Sequence, residues 1–144
     1  MLSDERIISA QAVICEHLQL RKDYLAVYPE EESSLCQQIA SSIGVPFTDI
    51  DTLSPQQMIL ELPYQHNLYH LAIPYQIDDH YSWLFCNPNH MAEIKSYCQL
   101  ITPQYQLHLS CPSQFIVLLN QYQHRHFYHQ IQHTPINATS IIQC

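Results

Sequence analysis

Apolar residues recur at helical spacing from the start of the chain: Ile7, Ala10, Ile14 and Leu18 fall on one side of a helix expected from Ser3 to about Leu20. Asp4 and Glu5 stand in its first turn, where the helix dipole favours acids. A stripe of this kind packs a helix onto the body of a domain. The pattern breaks from Asp23 to Glu32, where Pro29 and the run Glu30-Glu31-Glu32 predict a solvated loop. Leu35, Ile39 and Ile43 then restore the i, i+4, i+8 spacing, with Ser33 or Ser34 as cap and Gln37 in capping-box register to Ser34. Gly44, the only glycine in 144 residues, is expected to end this helix in the left-handed conformation. Pro46 then forbids its continuation.

Phe47 and Ile50 suit a short buried strand. Ser54-Pro55-Gln56-Gln57 combines a cap, a proline for the first helical position and a capping-box partner, which predicts a short helix to Pro63 with Met58, Ile59 and Leu62 on its apolar side. A second short helix is expected over Tyr64 to Leu71. Ala72 to Gln76 and Tyr81 to Cys86 read as a hairpin turning at Asp78-Asp79, with Tyr81, Trp83 and Phe85 on one face and Trp83 in the core. Asn87-Pro88-Asn89 opens a helix carrying Met91, Ile94, Tyr97 or Cys98, and Ile101 on one side, and Pro103 closes it. Tyr105, Leu107 and Leu109 alternate as a strand with one buried face. Ser110 is the expected cap of a last helix with Phe115, Leu118, Leu119 and Tyr122 turned inward. From Gln123 the composition shifts to Gln, His, Tyr and Asn without clear period, as in a linker or tail.

The expected organisation is a helix and acidic loop over 1–32, an α/β domain over 33–122 and a His/Gln-rich tail over 123–144. The fold class is α+β, a two-layer arrangement of a three- or four-stranded mixed sheet packed with helices.

Hydrophobic residues make up 47% and charged residues 12%, enough to bury a real core. The net charge of −8 argues against a surface that tracks nucleic-acid phosphates. Six cysteines, at 15, 36, 86, 98, 111 and 144, never form C-x-x-C, the pattern of buried free thiols in a cytosolic protein. The Asn137-Ala138-Thr139 sequon has no meaning there. No apolar run approaches the roughly 20 residues that a membrane helix needs. Direct membrane insertion is therefore not expected, and any membrane role would come through a partner.

His124, His126, His129 and His133 could gather a transition-metal ion. No cysteine or carboxylate accompanies them at ligand spacing, so adventitious binding is the expectation, with no functional metal or cofactor. A nucleophile elbow is impossible with one glycine, and Cys15-Glu16-His17 and Cys98 lie in helical patterns that explain them as packing. The chain has no G-x-x-x-x-G-K-[ST] loop to cradle a triphosphate. It is not expected to be an enzyme.

A helix followed by Ile43-Gly44-Val45-Pro46-Phe47-Thr48-Asp49-Ile50, then Leu62-Pro63, Ile73-Pro74, Asn87-Pro88 and a closing strand and helix resembles the N-terminal domain of type II secretion and type IV pilus assembly ATPases. The resemblance runs from about Ser33 to Tyr122. It implies a non-catalytic adaptor in the cytoplasm that docks onto the cytoplasmic part of an inner-membrane platform protein. The ATPase motor of such relatives would lie beyond Cys144 or be supplied in trans. A subset of the family binds cyclic di-GMP through motifs opening with R-L-G, which implies an alternative nucleotide site at Ile43, Gly44, Pro46, Leu62 and Pro63. Ser42 stands where the arginine would be, and Met1 to Glu32 contains no glycine for a first motif. Arginine gives phosphate bidentate, charge-assisted hydrogen bonds that serine does not replace.

Overall fold

A computed structural model describes residues 2–133. Its helices are α1 (Leu2–His17), α2 (Tyr24–Val27), α3 (Glu32–Ile43), α4 (Tyr64–His70), α5 (Met91–Ile101) and α6 (Pro112–His133). Its strands are β1 (Ile73–Ile77), β2 (His80–Phe85) and β3 (Tyr105–Leu109). They form one mixed sheet in the order β1-β2-β3, with β1 antiparallel and β3 parallel to β2. The α+β class and the small mixed sheet are as expected, with three strands.

The hairpin closes at Asp78 and Asp79, both at positive φ (49° and 66°), between the paired residues Ile77 and His80. Two left-handed residues in a two-residue loop match the right-handed twist of the strands. The β2–α5–β3 crossover then returns the chain parallel.

Both faces of β2 are buried, which takes the arrangement beyond two layers. Trp83 and Phe85 pack on one side with Ile14, Ile39, Ile94 and Leu109. Leu84 and Cys86 pack on the other with Phe115, Leu118 and Tyr122 of α6 and with Ile7 and Ala10 of α1. The stripe read on α1 thus reaches both cores. The Trp83 indole N–H donates to Thr102 Oγ1 at 2.9 Å, so the ring is buried without losing its hydrogen bond.

Gly44 ends α3 at φ +76°, its N–H on Ser41 O and the Val45 N–H on Ala40 O. This is the double bond pattern that closes a helix through a left-handed residue.

Several local expectations give way to tertiary contacts. Asp23 to Glu32 is not one solvated loop: α2 and a 3-10 turn at Pro29–Glu31 occupy it, and α3 begins at Glu32. The Ser34–Gln37 capping box does not form; Gln37 Nε2 donates to Ser33 Oγ instead. Glu32 is 5% exposed, its carboxylate accepting from Gln11 Nε2 at 2.8 Å, from the Ser113 N–H at 3.3 Å and from the Ser113 hydroxyl. The acid of α3 therefore caps α6 across the fold. Ser110, the predicted cap, is buried and donates to Phe85 O.

The strand expected at Phe47 to Ile50 shrinks to one parallel bridge between Phe47 and Leu109, because Ile50 already turns into a 3-10 turn capped by Asp49. The helix expected to run to Pro63 is one 3-10 turn, Pro55–Gln57, with the Ser54–Gln57 capping box in place. Met58 leaves it to bridge Tyr75, and the Ile59 N–H donates to Pro74 O; pairing with β1 wins over continuing the helix. Residues 123–133 are no linker but the continuation of α6, which packs on α1. The sequon and Cys144 lie outside the described residues.

Candidate functional site

Leu62 and Pro63 enter α4, and Tyr64 turns its ring onto α6. The Tyr64 and His126 rings stack at 3.6 Å with 2° between their planes, and Tyr64 also leans on Tyr122 at 5.4 Å. α4 is fixed from beneath by Asn67, fully buried: Tyr97 donates its hydroxyl to Asn67 Oδ1, and Asn67 Nδ2 donates to the Tyr122 hydroxyl at 2.8 Å. One amide thus ties α4 to α5 and α6.

An open cleft of about 820 Å³ lies between the Leu60-to-His66 segment and the second half of α6, and His126, His129 and Gln130 line its far wall. A second cleft of about 360 Å³, lined by Leu60, His124, Arg125, Tyr128 and His129, shares Leu60 and His129 with it. Together they make a groove across Leu60. His126 Nδ1 and Arg125 Nε are buried atoms with no hydrogen-bond partner. Burial, then the neighbouring His129, holds the His126 imidazole below the ordinary histidine range. The larger cleft has the size of a small-molecule site.

Of the residues singled out for a nucleotide, Leu62 and Pro63 line this cleft, while Ile43, Gly44 and Pro46 do not. Gly44 faces open space, with nothing within 4 Å of where a Cβ would stand, and Ser42 is exposed. Of the four histidines, His126 and His129 face the cleft, and His124 the adjoining one; the side chain of His133 lies outside the described residues. No three His, Cys, Asp or Glu side chains come together as a metal site among the described residues. Cys15 and Cys98 are fully buried, and burial pushes the Cys98 thiol up to about 12, which suppresses thiolate chemistry.

Sequence reasoning missed Tyr64, His66 and Gln130 as lining residues. The signal was the i, i+4, i+7 spacing of Tyr122, His126 and His129, which continues the inward stripe of α6. It was obscured by the polar composition after Gln123.

No family model matches the chain, and no curated protein matches it. Among solved structures, that of MshE with cdg aligns over 85% of this chain and 88% of that one, with a TM-score of 0.53 and 14% identity. The two chains share a fold. The aligned share is larger than the Ser33-to-Tyr122 stretch that carries the sequence resemblance. At 14% identity it is a likeness of architecture and not of side chains. No helix among the described residues is long and apolar enough to cross a membrane.

Proposed function

We propose that the chain is a non-catalytic docking module of a secretion or pilus-assembly ATPase system, which seats the motor on the cytoplasmic part of an inner-membrane platform. One observation carries this reading: the second half of α6 exposes Phe127 (61%), Tyr128 (51%) and Ile131 (49%). Phe127 and Ile131 are one helical turn apart, with Tyr128 beside them, so they make one apolar patch along α6. Large aromatics left in water in this way characterise the centre of an interface. The net charge of −8 favours a partner face bearing lysine and arginine, which would speed encounter.

The test is calorimetric titration of the full chain with the platform's cytoplasmic domain, comparing the wild type with Phe127→Ser and Ile131→Ser. The reading expects binding in the wild type and at least a tenfold loss in each variant. Binding that survives both substitutions would place the contact elsewhere.

A second reading has its own support. MshE, whose fold is shared, is described with cdg, which we take as cyclic di-GMP, and a cleft of suitable size holds Leu62 and Pro63. Against it stand Ser42 in place of the motif arginine and the open surroundings of Gly44. Titration with cyclic di-GMP decides it: saturation at about 100 times Kd would stabilise the native state by roughly 2.7 kcal/mol.

A further inference from the structure

Arg6 of α1 reaches α4, where its Nη2 donates to Tyr69 O, a carbonyl that the last turn of that helix leaves without a helical partner. A guanidinium carries five N–H donors, and the others of Arg6 make no hydrogen bond among the described residues. No carboxylate among the described residues pairs with it, although the chain has thirteen acids against five Lys and Arg. Arg6 lines two clefts. One, of about 300 Å³, is walled by Leu68, Leu71 and Leu119, with Gln65 and Gln123 beside them. The other, of about 400 Å³, carries His70, His90 and Glu93. Tyr69 lines both as well, so the two adjoin at this pair. We propose that Arg6 and the leucine-walled cleft bind the C-terminus of a peptide ending in a large apolar residue, with the carboxylate on Arg6 and the last side chain against Leu68, Leu71 and Leu119. The site is independent of the docking reading above and uses none of Phe127, Tyr128 and Ile131.

Arg6 is half-buried, and a cation drawn out of water without a counter-ion gains when a ligand supplies one. Its planar fork matches a carboxylate in two parallel, charge-assisted hydrogen bonds. The bond to Tyr69 O anchors the guanidinium before any ligand arrives, which lowers the entropy lost on binding. Leu71 and Leu119 are buried core residues, so the apolar wall is rigid and fits an apolar side chain rather than a carboxylate alone. Gln65 and Gln123 add amide donors and acceptors along the same cleft. A peptide backbone can use them and a fatty-acid chain cannot, which favours the peptide. Tyr69, 72% exposed with its ring edge-on to His70 at 5.0 Å, adds an aromatic rim.

One group opposes an anion here. Glu93 lines the second cleft, where its Oε1 lies 3.3 Å from His70 Nδ1, and His90 lines that cleft with them. The leucine-walled cleft has no acid among its lining residues, so the opposition comes from the polar cleft alone.

The probe is acetyl-Gly-Ser-Gly-Phe-Leu with a free carboxylate, titrated calorimetrically into the full chain beside its C-terminal amide and the same peptide ending in serine. Each change should weaken binding about tenfold or more, the amide by removing a charge-assisted pair and the serine by removing apolar burial. Arg6→Gln, which keeps a donor for Tyr69 O, should bind the acid no better than the amide. Glu93→Gln should bind the acid more tightly. If Arg6→Gln fails to fold, the comparison of acid with amide on the wild type still decides, with the Tyr69 and Leu119 resonances expected to move on binding. Equal affinity for acid and amide, no binding of the acid at millimolar concentration, or resonance changes confined to Phe127 and Ile131 would each overturn the proposal. Dodecanoate bound with the peptide silent would overturn it in favour of a lipid carboxylate.

Discussion

Replacing Glu32 with alanine should destabilise the fold by about 3 kcal/mol, because this acid does three things at once. Its carboxylate accepts from Gln11 Nε2, from the Ser113 N–H in the first turn of α6, and from the Ser113 hydroxyl. A hydrogen bond to a charged group contributes about 1.5–3 kcal/mol, and an acid at a helix N-terminus typically 0.3–1 kcal/mol more. Against this stands the cost of burying a carboxylate that is only 5% exposed. Gln11 can turn to water once its acceptor is gone, so its bond counts for little. The Ser113 N–H and hydroxyl, facing α3, lose more. For a chain of this size about 3 kcal/mol corresponds to a fall in Tm of roughly 6–12 °C. Urea denaturation followed by the fluorescence of Trp83, the only tryptophan, would read it. Glu32→Gln keeps an acceptor oxygen and should lose about half as much. A loss under about 0.5 kcal/mol in Glu32→Ala would mean that desolvation cancels the bonds, and the account of α3 tying down α6 would fall.

Asn67→Ala should cost about 3 kcal/mol, since it leaves the buried Tyr97 and Tyr122 hydroxyls unpaired; a chemical denaturation curve with unchanged midpoint would refute the network. Gly44→Ala should cost only about 1 kcal/mol, because φ is +76° but nothing crowds a Cβ; a loss several times larger would reveal a contact the structure does not contain. Burial depresses the His108 imidazole, whose Nδ1 is 2.6 Å from Thr48 Oγ1. The unfolded chain then takes up the proton first, so stability should be complete above the ordinary histidine value of about 6.5 and fall as pH drops through the folded value. His126 adds to this loss with the same sign, so His108→Gln should remove part of the slope between pH 7.5 and 5.5, and an unchanged slope would contradict the assignment.

What could be read from the sequence was whatever local chemistry decides alone. Gly44 stopped its helix, Asp78-Asp79 turned the hairpin, and Ser54 with Gln57 built its box, because each depends on a few consecutive residues. The errors lie where a distant partner outbids a local preference. Met58 and Ile59 abandon their helix because β1 offers backbone partners, and Glu32 is buried because Ser113 lies across from it. The candidate site suffered most. Leu62 and Pro63 were legible as a motif and His126 and His129 as a cluster, but their meeting required α6 to continue through residues whose polar composition resembles a tail.

The central claim is that the exposed face at the end of α6 is where a partner docks. Hydrogen–deuterium exchange of the full chain, with and without the cytoplasmic domain of the platform protein, tests it most directly. The account predicts new protection concentrated in the turns bearing Phe127, Tyr128 and Ile131, with the sheet amides unchanged. Protection centred on Gly44 to Pro63 with α6 unaffected, or no protection at all at saturating partner, would contradict it.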